Sequence, residues 1–375
     1  MKSQPQCLAR ILSSCIVLLS ACIPARAAAS AVVAWGNNSS GQTNVPPTLS
    51  NVTAIAAGHS HGLALINDGT VTAWGENYNR QATVPPELAD VVAIAAGGFH
   101  SLALEGDGTV AAWGDNGYGQ TTVPPGLANV VGIAGGYFHS LALTAQGTVV
   151  AWGDNSGGQT NVPPGLANVV AIAGGASHSL ALKADGTVVA WGDNYSGQTN
   201  VPPDLTNVTA IAAGASHSLA LRADGTLAAW GYTNFGQVTI PRGVTNIVAV
   251  AAGQFHSLAL KANGLVAAWG DNTYFQTNVP AGLTNVLAIA GGGYFSLALP
   301  DRGIPPRLFN PTRSNQSFRV SLSTFVRKSY FFEFKNSLGD AEWAPLSAFP
   351  GNGGMRTLTD TNTSAGQKFY RIRTN

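Results

Sequence analysis

The sequence predicts an all-β fold, a seven-bladed β-propeller with N-terminal strand closure, followed by a small C-terminal β-rich module. Tryptophan recurs seven times from Trp35 to Trp269, always 39 residues apart, and glutamine keeps the same interval from Gln42 to Gln276. No useful window shows the 3.6-residue period of an amphipathic helix. A fixed repeat of this length indicates an array of similar sheets that cover one another.

Each repeat is predicted to contain four short strands, which is the content of one propeller blade. In the repeat that begins at Asn168, the predicted strands are Val169–Ala173, Ser179–Lys183, Thr187–Trp191 and Gly197–Val201. Asp185-Gly186 predicts the hairpin turn between the second and third strands, because both residue types tolerate positive φ. Leucine and alanine alternate along the second strand, so the Leu side of one blade can pack on the Ala side of the next.

The first strand of the propeller is predicted to complete the last blade. Ala31–Trp35 matches the third strand of a repeat, and Tyr294–Leu299, the last repeated strand, matches the second. The final blade therefore lacks a third strand of its own, which the N-terminal strand can supply without leaving an open sheet edge. The predicted propeller covers residues 31–303.

The segments that flank the repeats differ from them. Residues 1–27 have the pattern of a signal peptide, with a basic start, an apolar run at 11–23 and small residues around a cleavage site at Ala25 to Ala27. The alternative is a lipoprotein signal that ends before Cys22, which would then carry the lipid. Residues 304–314 contain three prolines and are predicted to be a linker, and residues 315–375 are predicted to form a separate β domain. Both targeting alternatives predict export, to the extracellular space, the periplasm or the cell surface.

Composition excludes several classes of function. All three cysteines lie in the first 22 residues, so the exported chain has no expected thiol nucleophile or Cys-ligated metal. Residues 31–303 contain 14 Asp/Glu against 6 Lys/Arg, which argues against nucleic-acid binding. The repeated histidines from His61 to His256 would be spread around the ring, too far apart to share a metal, and are predicted to bond loop backbone instead. We therefore expect a non-catalytic protein without a cofactor or metal.

The repeats resemble the regulator of chromosome condensation repeat family in its short bacterial form. The shared pattern is Gly-Gly-x-x-His-Ser-Leu-Ala-Leu, then Asp-Gly-Thr-Val-x-Ala-Trp-Gly-Asp-Asn, then Gly-Gln-Thr. Within the family, the chain is similar to secreted bacterial β-lactamase inhibitors. This resemblance implies a seven-bladed propeller that binds proteins through aromatic loops on one face, with inhibition of a secreted enzyme such as a β-lactamase as a special case. The C-terminal module resembles small β modules of exported bacterial proteins.

One face of the propeller is predicted to bind a protein partner. The loop before each repeated histidine and the loop after each Trp-Gly lie on the same side, because successive strands are antiparallel; we call this side the aromatic face. Exposed tyrosine is a favoured contact residue, and acidic groups would steer a basic partner. The predicted binding residues are Tyr78, Phe99, Tyr118, Tyr137, Tyr195, Tyr232, Phe235, Tyr274, Tyr294, Glu76, Asp115, Asp154, Asp193 and Asp271.

Other interpretations of these residues remain open. Each acidic residue can instead cap the loop that follows it, and Phe99 can pack between blades. Tyrosine and aspartate on loops also suit carbohydrate, which would predict one similar pocket per blade. An enzyme would need a blade with unusual polar residues near the axis, where the sequence singles out only His59. A purely structural module would bury the aromatic side chains.

Overall fold

The computed structural model describes residues 7–12, 15–19, 32–301, 308–313, 317–325, 328–336, 342–351, 355–361 and 368–374. Two compact units make up the chain: Ser30–Pro300, and Met1–Ala29 together with Asp301–Asn375. Every regular element in the described ranges is a β-strand. No helix in these ranges is long and apolar enough to cross a membrane.

Seven three-stranded antiparallel sheets form the first unit. Sheets 1 to 3 are Val52–Ala57, His61–Ile66, Val71–Gly75; Val91–Ala96, His100–Glu105, Val110–Gly114; and Val130–Gly135, His139–Thr144, Val149–Gly153. Sheets 4 to 6 are Val169–Gly174, His178–Lys183, Val188–Gly192; Val208–Ala213, His217–Arg222, Leu227–Gly231; and Ile247–Ala252, His256–Lys261, Val266–Gly270. Sheet 7 consists of Val286–Gly291, Phe295–Pro300 and the N-terminal strand Val33–Gly36.

The fourth strand expected in each repeat is not formed, and that prediction was wrong. In the repeat of sheet 4, Gly197 has a φ of +77° and Asn200 donates its backbone N–H to the Gly197 carbonyl. The Thr199 N–H is likewise bonded within the loop, to the Asn194 side chain at 3.1 Å. A strand needs these donors for a ladder, and here local turns already use them.

Neighbouring sheets are joined by backbone hydrogen bonds between the loops that follow their first strands. The bonds are His59 N to Gly98 O, Gly98 N to Gly136 O, Tyr137 N to Gly175 O, Ala176 N to Ala215 O, Ala215 N to Gln254 O, Gln254 N to Gly292 O and Gly293 N to Gly58 O. They connect each sheet to the next, and sheet 7 to sheet 1. In sheet 7, Val33–Gly36 pairs with Phe295–Pro300 so that Trp35 lies opposite Ser296.

The core between sheets consists of Leu, Ala and Trp side chains, as the alternation predicted. Between sheets 1 and 2, Leu63 and Leu65 pack on Ala103 and Trp113. Trp113 is 7% exposed, and its Nε1 donates to the Gln81 carbonyl at 3.0 Å. A tryptophan buries on the order of 200 Å². Each tryptophan therefore wedges its sheet against the one before it and is fixed by one hydrogen bond.

The repeated histidines form buried bonds between sheets. His100 Nε2 lies 2.9 Å from Ser140 Oγ, and that hydroxyl donates to the Gln120 carbonyl at 2.8 Å. Because the serine proton is used there, Nε2 must be the donor to the serine. Burial lowers the pKa of His100 to about 3, so its imidazole is neutral at pH 7. The same arrangement joins six pairs: His61–Ser101, His100–Ser140, His139–Ser179, His178–Ser218, His217–Ser257 and His256–Ser296. The prediction that these histidines bond loop backbone was wrong.

The junction between sheets 7 and 1 replaces both members of this pair. Phe295 occupies the histidine position of sheet 7, and Gly62 occupies the serine position of sheet 1. Phe295 is fully buried. The loss of the histidine is therefore matched by the loss of its acceptor, and no hydroxyl is left buried without a partner at this junction.

The second unit contains two sheets that share an aromatic core. Leu308–Arg313, Phe318–Ser323 and Met355–Asp360 form one sheet. Cys15–Leu19, Cys7–Leu12, Phe369–Thr374, Ser329–Lys335 and Ala344–Pro350 form the other, in this spatial order. Their core contains Phe318, Val320, Leu322, Tyr330, Phe332, Leu358, Tyr370 and Ile372.

The flanking segments differ in part from the sequence predictions. The segment 304–314 is not a plain linker, because Leu308–Arg313 is a strand. Its ladder shifts register between Phe309 and Thr312, so Pro311 lies at an irregularity where a missing N–H is tolerated. The proposed cleavage site at Ala25 to Ala27 and the proposed lipid site at Cys22 lie outside the described residues.

Candidate binding face

The aromatic face carries one continuous cluster of ring contacts. Its ring pairs, with centroid separations of 4.9–6.3 Å, are Tyr118–Phe138, Phe138–Tyr137, Phe138–Phe99, Tyr137–Phe99, Tyr137–His59, Phe99–His59, His59–Tyr294, Tyr294–Tyr274, Tyr294–Phe255, Phe255–Phe235, Phe255–Tyr232 and Phe235–Tyr232. These residues come from the loops of sheets 1, 2, 3, 5, 6 and 7. Sheet 4 has Ala176 and Ser177 at the corresponding loop positions, so the cluster has the shape of a horseshoe that is open at sheet 4.

The predicted contact tyrosines differ in exposure. Tyr118, Tyr195 and Tyr274 are 57%, 96% and 44% exposed, and Tyr78 is 91% exposed. Phe235 is also exposed, whereas Phe99, Tyr137, Tyr232 and Tyr294 are half-buried in the cluster. Among the described rings, Tyr78 and Tyr195 make no contact with the cluster and stand apart from it. Seven of the nine predicted aromatic residues are therefore brought together, and two are not.

Phe275 was not among the predicted binding residues, although it is 66% exposed on the same face. It adopts a φ of +64° at a position where five other repeats have glycine. A bulky side chain in the left-handed region costs on the order of 1–3 kcal/mol. Arg80 has the same φ at this position of another repeat, so the loop accepts residues other than glycine here, and at Phe275 it exposes an aromatic ring. A comparison of the repeats at this position would have found Phe275.

The four predicted aspartates act as loop caps. Asp193 shows the arrangement: one oxygen accepts the Tyr195 N–H at 3.1 Å, and the other accepts Gln198 Nε2 at 2.8 Å. Asp115, Asp154 and Asp271 make the same two kinds of bond. The structural interpretation of these residues therefore holds, and their charges still contribute a negative potential on this face.

Glu76 differs from the aspartates, and this difference supports a stability prediction. The buried Nε2 of Gln81, which an aspartate would accept, has no partner among the described residues. We expect Glu76→Asp to provide that acceptor and to raise the free energy of unfolding by about 1 kcal/mol, as measured by urea denaturation. Asp115→Glu is the matched reversal and should lower it by a similar amount. Unchanged stability in both variants would contradict the role assigned to this bond.

Seven loop residues, one from each sheet, surround a narrow central cavity. This axial ring consists of His59, Gly98, Tyr137, Ala176, Ala215, Gln254 and Gly293. The cavity has a volume of about 80 Å³ and is otherwise lined by glycine and alanine. A Cβ on Gly98 would lie 2.6 Å from the Tyr137 carbonyl oxygen and 3.0 Å from Cγ of the Tyr137 ring, so the backbone and the side chain of Tyr137 both require a small residue there.

Of these residues the sequence singled out His59, as a polar residue near the axis, and Tyr137, as a predicted contact residue, and the structure adds Gln254. The rings of His59 and Tyr137 are 5.3 Å apart, and burial lowers the pKa of His59. Burial also raises the pKa of Tyr137 to about 12, with Tyr294 and Glu76 as smaller causes. Gln254 was missed because its neighbours come from other repeats; a comparison of the seven repeats at this position would have found it.

A family model described as regulator of chromosome condensation (RCC1) repeat matches residues 52–81, 91–120, 130–159, 169–198, 208–237 and 247–276. The six matches coincide with sheets 1 to 6 and the turns that follow them. The seventh sheet combines strands from the two ends of the repeat array, so no continuous segment encodes it. No curated protein matches the chain significantly.

Several solved structures share the fold. Prp20p from Saccharomyces cerevisiae, whose binding to Gsp1p and histones has been described, is 23% identical with a TM-score of 0.63, covering 81% of this chain and 94% of its own. Human WBSCR16 is 20% identical with a TM-score of 0.59, covering 72% and 99%. The ectodomain of the receptor kinase CR4 from Physcomitrella patens is 24% identical with a TM-score of 0.57, covering 70% and 76%. At this identity the likeness extends to the fold alone.

Proposed function

We propose that this chain, an RCC1-repeat protein, is an exported, non-catalytic protein that binds a protein partner through its aromatic face. The proposal includes a seven-bladed propeller closed by Val33–Gly36, and a targeting segment in residues 1–27 that is either cleaved or ends before a lipidated Cys22. In the lipidated form, the lipid is the only membrane contact. The proposal also keeps the C-terminal β domain that was predicted at 315–375. The predicted linker 304–314 is revised, because it contains the strand Leu308–Arg313.

The observation that supports binding is the exposure of aromatic rings on loops, at a cost in backbone strain at Phe275. The rings of Tyr78 and Tyr195 are 91% and 96% exposed, so their packing adds nothing to the stability of the fold. Rigid amphipathic rings give large contact areas at a low entropic cost and dominate protein interfaces. The RCC1-like neighbour Prp20p is described as a binder of proteins, and a second solved structure shows Kap60 bound to it.

Carbohydrate binding is the second candidate, and inhibition of a secreted enzyme such as a β-lactamase is a special case of the first. Repeated sugar sites would require similar pockets on successive sheets, whereas the aromatic cluster is open at sheet 4. Nucleic acid does not fit a face on which four aspartates retain their charge. The glycine-lined axis offers little room for a substrate, which supports a binding function.

The test is capture of partners from surface and secreted extracts of the producing cells. The binding variant combines Tyr118→Ala, Tyr195→Ala and Tyr274→Ala. The matched control changes three exposed residues at the opposite end of the strands, Glu87→Ala, Asp204→Ala and Leu265→Ala. We expect the wild type and the control to retain the same protein and the binding variant to lose at least about 2 kcal/mol of affinity, or about thirtyfold.

Thermal unfolding of the three proteins must first show that all are folded. Equal capture by the binding variant would place the site elsewhere. Capture of glycan but not of protein, again lost with the tyrosines, would replace the proposal with the carbohydrate alternative.

A further inference from the structure

Two polar atoms at the axial ring are left without hydrogen bonds. Nδ1 of His59 and Oε1 of Gln254 are both shielded from solvent and lack a partner among the described residues. Both residues line the central cavity at the aromatic face. Buried acceptors that remain unsatisfied cost about 1–3 kcal/mol each, so a site that holds two of them favours a ligand that donates hydrogen bonds.

The surroundings of these acceptors favour a positively charged donor. Aromatic rings of Phe99, Tyr137 and Tyr294 lie 5.3–6.0 Å from the ring of His59. The negative face of an aromatic ring attracts cations, most strongly where water is excluded. The neighbouring loops add the carboxylates of Glu76 and Asp271. Burial is the main cause that raises the pKa of Tyr137 and of Tyr294, and these carboxylates are smaller causes.

The size of the cavity selects among cationic groups. About 80 Å³ accommodates a compact head on a slender stem. A lysine ammonium has three donors that rotate freely and a flexible four-carbon stem, whereas the arginine guanidinium is a wide planar fork. The three N–H groups of the ammonium can donate to the histidine nitrogen, the glutamine oxygen and one further acceptor.

We propose that the axial ring is a subsite for a primary ammonium group, namely a lysine side chain of the protein partner. His59 and Gln254 accept its hydrogen bonds, and Tyr137 contributes its ring face. This inference rests on the proposed function, since it identifies the group that the partner inserts at the centre of the aromatic face. It also explains why three of the seven ring positions carry large polar or aromatic side chains, while the other four carry glycine or alanine.

A comparison of the positions in the axial ring identifies a conservative variant. Gln254→Ala introduces the residue that sheets 4 and 5 carry at the same position, Ala176 and Ala215. The fold is therefore expected to accept it, and only the acceptor is lost. Leu265→Ala is the control, because Leu265 is exposed at the opposite end of the strands from the axial ring and is not a predicted binding residue.

The test titrates the folded chain with Nα-acetyl-lysine methylamide while the His59 ring signals are followed by NMR in protein with labelled histidine. The comparison probe is the norleucine analogue, which has the same stem without the ammonium. We expect saturable shifts with the lysine probe at millimolar concentration and at least about tenfold weaker binding of the norleucine probe. Gln254→Ala should weaken binding of the lysine probe by about tenfold, and Leu265→Ala should leave it unchanged.

Three results would each overturn the inference: equal binding of the two probes, no saturable shift up to about 100 mM lysine probe, or an unchanged dissociation constant in Gln254→Ala. These results are independent of partner capture. If the tyrosine variant loses a protein partner but the lysine probe does not bind, the aromatic face remains a protein-binding site and only the ammonium subsite is rejected.

Discussion

Mild acid is expected to unfold the repeat unit, with a midpoint near pH 5. Burial, the largest cause in each case, lowers the pKa of His61, His178 and His256 to about 4 and that of His100, His139 and His217 to about 3. The unfolded chain takes up protons near pH 6.5, whereas the folded chain does not. Stability is therefore complete above pH 6.5 and is lost as the pH falls towards the folded-state values.

The size of this effect follows from the number of histidines. At pH 5, each buried histidine costs about 2 kcal/mol relative to neutral pH, and six together cost on the order of 12 kcal/mol. A typical domain has only about 5–15 kcal/mol of stability in total. Urea denaturation followed by circular dichroism between pH 7.5 and pH 4.5 would measure the slope.

A matched variant isolates one histidine. His139→Phe combined with Ser179→Gly copies the Phe295 and Gly62 pair that already joins sheets 7 and 1. We expect the pH slope of the unfolding free energy to decrease by about one sixth, because one of the six buried histidines that take up a proton on unfolding has been removed. A stability that stays constant down to pH 4.5, or a slope that the double variant leaves unchanged, would refute the role of these histidines.

Loss of the N-terminal strand Val33–Gly36 is expected to destabilise the repeat unit more than any single substitution in it. Trp35 is 7% exposed, and its Nε1 donates to the Gln276 carbonyl at 2.9 Å, across 241 residues of sequence. We expect Trp35→Ala to cost about 3–5 kcal/mol, as large-to-small core changes do. A chain that begins at Asn37 should lose more, because the edge of Phe295–Pro300 is then also unpaired.

The control for this prediction is a chain that begins at Ser30. It keeps Val33–Gly36, and its repeat unit should be as stable as in the longer form, because the strands that it removes, Cys7–Leu12 and Cys15–Leu19, belong to a sheet of the second unit. Trp113→Ala provides the internal standard, since Trp113 has the same position in sheet 2. If Trp35→Ala cost less than about 1 kcal/mol while Trp113→Ala cost the full amount, the N-terminal strand would not be an integral part of sheet 7. Recovery of the shortened chain by a peptide of residues 30–36 would support the pairing independently.

The repeat length, the strand type and the packing of leucine on alanine could be predicted from the sequence alone. A constant interval with no insertion indicates identical units, and alternation with a period of two fixes which side chains face the next unit. The aspartate caps were also foreseen, as the alternative to binding. The fourth strand was overpredicted, because the sequence of a short segment such as Gly197–Val201 does not reveal that turns already use its backbone donors.

Contacts between different repeats were decided only by the tertiary structure. The serine that each histidine bonds lies 40 positions further along the chain. The role of Gly62 depends on its place opposite Phe295, at the junction of sheets 7 and 1. The axial ring is a similar case, since His59, Tyr137 and Gln254 meet only because seven loops converge on one axis. The sequence by itself determined the repeated unit and its local bonds, which depend on neighbouring residues. The site arises from differences between units, and only the packing of the sheets against one another brings those differences together.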